Sequence, residues 1–404
     1  MERIDIAIIG GGASGLFLAN ALNAGKKITI FERGERLGRK LSATGNGQGN
    51  VTNLAAESTD YFSFGEGRYK VNEIICRHSH EELTEFFHAK GVALQADARG
   101  RVYPSGMQAS ALTDALRFSV ATRGVEARLG AKVVDIQKTG DGFILRVEEG
   151  TERKTSSCFA RYVVLCAGGK AAKNFGTDGA AYLLVQKFGH TLTKLYPSLV
   201  QLKTDVTHTK TLKGIRINDG RLTAILPSGE KISLEGDIIF TDYGVSGDAV
   251  FRISAFIADK IEGGQVRLSI DFLPRLTQEE IFDLAQRKRT AFPAMPDGEL
   301  LFGILNNQVG RAVMKRANGD LGQAAALVKN FTLMVTGSLG FDYAQVTKGG
   351  IPLLETDEAL QSRFVKGLYF AGEILDVDGP CGGFNLQWAY SSAMQVADAL
   401  NQEV

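Results

Sequence analysis

Residues 1–32 constrain this chain more than any other stretch. An apolar run, Ile4 to Ile9, leads straight into Gly10-x-Gly12-x-x-Gly15. A helical pattern with apolar Leu16, Ala19 and Leu22 follows and stops at Gly25, and a second β-rich run, Ile28 to Phe31, ends on Glu32. The strand before, the helix after and the acid downstream are the context that turns a common glycine turn into a dinucleotide site. Gly10 permits the tight turn, Gly12 lets the backbone approach a pyrophosphate, and Gly15 lets the helix pack close to the strands. The helix start, with Ala13 and Ser14, aims its N–H groups and dipole at the phosphates. Glu32 accepts from an adenosine ribose 2′-OH and repels a 2′-phosphate. On this evidence the ligand is FAD or NAD.

Length and charge bound the rest. A chain of 404 residues exceeds one ordinary domain. Its 46 basic and 45 acidic side chains leave a net charge of +1, which gives no electrostatic reason to expect nucleic acid or an anionic membrane. The four cysteines are scattered and form no C-x-x-C, so neither a zinc site nor a disulfide framework is expected. Cys158 and Cys166 read as buried thiols. No apolar run approaches a membrane span and no secretory signal is evident, so a cytoplasmic location is expected. His78-x-His80 lacks a third ligand nearby, no metal site is expected, and no Ser-His-Asp set is visible.

After Glu32 the stretch Gly38 to Asn53 is rich in glycine and small polar residues, as an ordered loop along a ligand would be. Two helices follow, the second opening on the capping box Ser79-x-x-Glu82, and a further helix spans about 110–123. Short strands then run to Tyr162–Cys166, which enters a second glycine turn, Ala167-Gly168-Gly169. From about Leu195 to Leu273 short β-prone runs alternate with turns. From Thr277-x-x-Glu280 to about Leu327 the pattern is helical. A late strand, Gly367 to Phe370, ends on Ala371-Gly372-Glu373, and a final helix starts near Asn385.

The βαβ unit with Glu32 and the two later strand-end glycine turns resemble the glutathione-reductase-type FAD fold, in which a late acid, here Glu373, holds the ribityl chain. More narrowly, the chain resembles the bacterial aminoacetone oxidase family, which includes BaiN-like flavoproteins. The likeness rests on Gly38 through Asn53, on Phe240-Thr-Asp-Tyr-Gly-Val-Ser-Gly247, on Lys348-Gly-Gly-Ile351, and on Gly367 through Ala389. Many relatives carry Arg-Cys at Gln48-Gly49 and histidine at Asp242. The resemblance implies an α/β architecture with a Rossmann FAD domain (1–191 and 346–404), an inserted β-barrel-like domain (192–275 and 331–345) and a small helical domain (276–330). The active site is expected between the insertion and the FAD domain.

The expected FAD contacts beyond Gly10 to Glu32 are Arg33, Arg39, Lys40, Leu41, Asn46, Gly47, Asn50 and Thr52 in the first loop and Val133. Further along they are Ala167, Gly168 and Gly169, then Gly372 and Glu373, and finally Gly382, Gly383, Phe384, Asn385 and Leu386. Backbone N–H groups at the last helix start would stabilise negative charge on the reduced flavin. Tyr243, Trp388 and Tyr390 are candidate aromatic walls for an amine, with core packing the competing fate of the last two. No second G-x-G-x-x-G occurs. The resemblance therefore implies oxidation of a small primary amine, aminoacetone first, by FAD and O2 to methylglyoxal, ammonia and hydrogen peroxide. The alternatives are a BaiN-like NAD(P)H-dependent reductase of an unsaturated carbonyl compound, and a flavin-dependent RNA-binding or scaffold protein.

Overall fold

The computed structural model describes residues 1–403 other than 58, 60, 151 and 152. The chain forms two compact units, 1–196 with 346–404 and 197–345.

The first unit is built on a seven-stranded sheet. Glu2–Ile9 is its centre, because Ile6, Ala7 and Ile8 are fully buried and read as the continuous apolar run of a parallel strand covered on both faces. It pairs in parallel with Ile28–Glu32 on one side and with Lys154–Leu165 on the other. Glu126–Leu129 extends the sheet beyond Ile28–Glu32. The strand Lys154–Leu165 starts well before the expected Tyr162 and serves two partners along one edge. Its first part pairs antiparallel with Phe143–Glu149, which in turn pairs with Ala131–Lys138. Its last three residues pair in parallel with the late strand Leu368–Phe370. The C-terminal strand thus joins the N-terminal sheet and brings Gly372 and Glu373 to the same strand ends as Gly10 and Gly168. The helices Ala13–Ala21 and Phe384–Glu403 pack on each other against this sheet. Each fully buried Ile or Leu in that layer contributes about 1.5–3 kcal/mol.

The second unit holds a closed antiparallel barrel in the order Leu202–Thr204, Gly244–Ser246, Lys231–Phe240, Arg216–Ile225, Arg267–Asp271, Phe331–Ser338. The β-prone runs at 231–234 and 237–241 are a single strand over Lys231–Phe240, in which Gly236 sits opposite Gly220 at a register shift. Helices Gln278–Ala291, Asn307–Arg316 and Leu321–Lys329 share one apolar core with this barrel. The capping box at Thr277 and Glu280 forms with both of its hydrogen bonds. Among the described residues no helix is long and apolar enough to cross a membrane.

Candidate FAD site

The cradle begins where Glu2–Ile9 ends. Gly10 has φ +106°, and a Cβ there would lie 2.5 Å from the Cys166 carbonyl oxygen. A Cβ on Gly15 would lie 2.0 Å from the Gly10 carbonyl oxygen, so only glycine lets the helix start this close to the strand. Gly12 differs: a Cβ there would have only Cys166 O as a neighbour, at 4.0 Å. Gly12 is also the N-cap of Ala13–Ala21 and supplies no side-chain cap. The first-turn N–H groups beside Ala13 and buried Ser14 therefore face the open side of Gly12, which suits a pyrophosphate.

Glu32 spans the turn. Its Oε2 accepts from Gly11 N–H at 2.8 Å and its Oε1 from Gly34 N–H at 2.7 Å. The carboxylate thus fixes the turn from Gly11 to Gly34. Glu32→Ala would leave the buried Gly11 N–H unpaired, a loss of about 1–3 kcal/mol. The expected result is a lower thermal midpoint together with weaker FAD binding in a flavin titration. Unchanged stability would confine Glu32 to the ligand. Nearby, Arg33 pairs with Asp178 at 2.7 Å and Arg39 donates to the Asn174 carbonyl at 2.8 Å. Val133 and Leu41 are buried in the core, 6% and 2% exposed.

Glu373 occupies the opposite end of the cradle. Its Oε1 accepts from Thr347 N–H at 2.8 Å, and its Oε2 pairs with Lys40 Nζ at 2.7 Å. Thr347 Oγ1 in turn accepts from the N–H groups of Lys170 and Ala171, next to Gly168 and Gly169. A Cβ on Gly169 would meet that hydroxyl at 2.4 Å and Glu373 Oε1 at 3.0 Å. Ala167-Gly168-Gly169, Lys40 and Gly372-Glu373 therefore converge, through a residue that sequence reasoning did not single out, Thr347.

The last helix start is held by side chains. Asn50, with its amide turned to satisfy both ends, accepts from Gly383 N–H at 3.2 Å and donates to the carbonyls of Thr52 and Val102. The Gly383 N–H expected to face a flavin is thus taken by Asn50. Thr52 donates to Gln387 Oε1 at 2.5 Å, and Gln387 donates to the His78 carbonyl and Ser391. Asn385 pairs with both backbone groups of Gly379 and closes the Pro380–Gly383 turn. Leu386 is buried, and Phe384 stacks edge-on to Tyr61 at 6.3 Å. Asn46, at φ +55°, and Gly47 stand exposed on the first loop.

The aromatic candidates need correction. Trp388 is 1% exposed, and its indole N–H donates to the Gly372 carbonyl at 3.2 Å. Tyr390 is also 1% exposed and packs edge-on against Phe17 and Phe86 at 5.2 and 5.6 Å. Both side chains fill the core, so neither forms a substrate wall. Tyr390 meets the helix Ala13–Ala21 through Phe17, whereas Trp388 points to the Gly372 turn. Tyr243 lies in the other unit, between Lys231–Phe240 and Gly244–Ser246, where burial raises its pKa.

Two further constellations were not legible in the sequence. His190 stands 2.8 Å from both Glu355 Oε2 and Ser362 Oγ, an arrangement of Ser, His and Glu drawn from distant segments. It is sealed: His190 is 3% exposed between Phe364 and Phe370, and Ser362 Oγ accepts from the N–H groups of Phe364 and Val365. A nucleophile needs access, and this serine serves as a turn clasp. Glu57, His80 and Glu81 also gather. They sit at the N-terminus of His80–His88, where Glu57 accepts from His80 N–H at 2.7 Å. A helix N-terminus favours carboxylates and disfavours a cation, so capping accounts for them. Cys158 and Cys166 are buried thiols, as expected, with pKa values pushed up by burial to about 11 and about 12.

Comparison with known proteins shows the family and the fold. The family described as HI0933-like protein Rossmann domain matches residues 4–399. A 3-dehydro-bile acid delta(4,6)-reductase of Clostridium scindens is 32% identical, with 96% of each chain covered. A ribosomal RNA dihydrouridine synthase of Escherichia coli is 27% identical over 99% of this chain and 98% of its own. Among solved structures, 3-ketosteroid delta1-dehydrogenase from Sterolibacterium denitrificans superposes with a TM-score of 0.54 at 13% identity, covering all of both chains, which shows a shared fold. The open strand-end cradle, its uncapped helix and the late acid fit FAD. The chain belongs to the HI0933-like family of FAD-dependent oxidoreductases.

Proposed function

We propose that this protein is an FAD-dependent reductase of a carbon–carbon double bond conjugated to a ring carbonyl, as in a 3-oxo-4-ene steroid. The observation that carries this reading is the full-length likeness to the bile acid reductase at 32% identity. The dihydrouridine synthases support the same bond chemistry, since dihydrouridine is uridine saturated at a double bond conjugated to a carbonyl. The amine oxidase suggested by the sequence resemblance is the competing reading.

When bound, reduced FAD would supply the hydride for the carbon β to the carbonyl, and the proton for the α carbon would come from solvent. The chain's own residues hold and orient it. Gly10, Gly12 and Gly15, with Ala13 and Ser14, receive the pyrophosphate. Glu32, Arg33, Arg39 and Val133 frame the adenosine end. Lys40, Leu41, Gly168, Gly169, Gly372 and Glu373 hold the ribityl chain. Asn46, Gly47, Asn50, Thr52 and Gly382 to Leu386 set the loop and helix start beside the ring. With a single dinucleotide fingerprint in the chain, the nicotinamide donor must bind without one.

Anaerobic stopped-flow spectroscopy tests this. NADH, NADPH and aminoacetone are mixed separately with the oxidised holoenzyme. Flavin bleaching by a nicotinamide, followed by rapid recovery on adding a 3-oxo-4-ene steroid, is the expected result. Bleaching by aminoacetone with prompt peroxide on admitting O2 would replace this reading with the amine oxidase. Recovery only on adding ribosomal RNA, with two hydrogens gained at a uridine, would move the substrate to RNA. A net charge of +1 argues against that last outcome.

A further inference from the structure

The segment Val346–Ile351 runs beside Glu373–Asp376. Ile351 N–H donates to the Ile374 carbonyl, and Asp376 N–H donates to the Ile351 carbonyl. Between these segments and the loop at Phe62–Phe64 lies a buried charged cluster. Lys348 is 5% exposed, and its ammonium stands 4.1 Å from the ring centre of Phe62 and 5.6 Å from that of Phe64. Asp376 is 1% exposed: its Oδ2 accepts from Phe64 N–H at 2.9 Å, with the Ser63 hydroxyl at 3.5 Å, while its Oδ1 has no hydrogen-bond partner. Lysine and aspartate are rarely buried this deeply unless paired, because each loses its hydration. An unpartnered carboxylate oxygen in such a place demands an explanation.

The cluster adjoins the cofactor-holding acid. Lys348 follows Thr347, whose N–H anchors Glu373. Tyr182, from the helix Tyr182–Gln186, has a buried, unpartnered hydroxyl that feels the charges of both Glu373 and Asp376. The groups facing Asp376 are therefore Lys348 from one segment, Tyr182 from a second, and Ser63, the Phe64 N–H and Thr193 from others. Glu373 and the buried Asp378 flank it on its own loop.

We propose that Asp376, steadied by Lys348, is a redox-linked proton store that takes up a proton when the flavin is reduced. Two electrons and one proton added to the cofactor leave one more negative charge nearby. That charge disfavours a second anion in the same low-dielectric interior, so the Asp376 carboxylate accepts a proton from solvent and becomes a neutral carboxyl. Reoxidation returns it. Burial already pushes the Asp376 pKa up to about 6, with the Phe64 N–H, Ser63 and Lys348 opposing. Other carboxyls with shifted pKa values, such as Glu2, Asp97, Asp135 and Asp178, are shifted downward. The sign follows: the extra proton enters only above about pH 6, where the oxidised protein still holds Asp376 ionised, and below the higher pKa of the reduced state.

This inference rests on FAD binding and not on the reductase reading, so its test uses no substrate. The midpoint potential of the bound flavin is measured against pH by equilibration with redox dyes. In the wild type the potential falls about twice as steeply with pH above about 6 as in Asp376→Asn, because two protons rather than one then accompany two electrons. Lys348→Met removes the opposing cation and moves the steep segment to higher pH. An infrared difference spectrum of the wild type should gain a protonated-carboxyl band on reduction near pH 7, a readout that needs no variant. Equal slopes in wild type and Asp376→Asn, or no such band, would overturn the proposal.

Discussion

Gly12→Val will purify as a folded, colourless protein. A Cβ at this position finds its nearest neighbour outside the local chain, the Cys166 carbonyl oxygen, at 4.0 Å, so the substitution should leave the sheet and the helix Ala13–Ala21 in place. The same open side is where the uncapped helix start presents its N–H groups, and a branched side chain fills the space a pyrophosphate needs. Affinity for FAD should fall on the order of 1000-fold or more, equivalent to about 4 kcal/mol. The measurement is flavin released on denaturation, together with a titration of the flavin-free protein. The thermal midpoint of the variant should match that of flavin-free wild type. Yellow protein with near-normal affinity would remove the pyrophosphate from Gly12 and with it the proposed placement of the whole cofactor.

The chain announced this end of the site because local chemistry fixes it. Gly10, Gly12 and Gly15 sit at spacings that a single strand, turn and helix make meaningful, and Glu32 closes the unit within the same βαβ. The late strand ending at Glu373 was legible for the same reason, as a strand run followed by a glycine turn. Its pairing with Val163–Leu165 comes from the structure, since nothing local names a strand's neighbour. What stayed hidden depends on segments far apart in sequence meeting in space. Thr347 joins the Gly168-Gly169 turn to Glu373 across 177 positions on one side and 26 on the other. Lys348 and Asp376 both lie in blocks that carried the family resemblance, yet nothing local marks either as buried. Trp388 and Tyr390 misled for the complementary reason. Positions two apart on a helix point about 200° away from each other, and the pattern does not show whether either side meets the core or a ligand. His190, Glu355 and Ser362 show the reverse hazard: chemistry-bearing side chains in suggestive geometry, closed off by Phe364 and Phe370.

Gly15→Ala carries the second large expected effect, and its sign separates two physical arguments. Propensity alone predicts stabilisation, because alanine exceeds glycine by about 1 kcal/mol inside a helix. Packing predicts the opposite. The added carbon would lie 2.0 Å from the Gly10 carbonyl oxygen, 3.2 Å from its carbon and 3.3 Å from the Ile8 side chain. The near neighbours are mainly backbone, and that backbone is tied into the sheet, since Gly10 N–H donates to the Phe31 carbonyl at 2.9 Å. Relief therefore requires the helix to lift from the strand, in a layer where Leu16, Ala19 and Ile8 are all fully buried. Overpacking of this kind costs about 1–3 kcal/mol. It outweighs the propensity gain, and the thermal midpoint of flavin-free Gly15→Ala should fall below that of flavin-free wild type. Because both proteins are compared without cofactor, a fall cannot be attributed to lost FAD. A midpoint at or above wild type would mean that the helix start has room to move and that Gly15 serves the ligand rather than the fold.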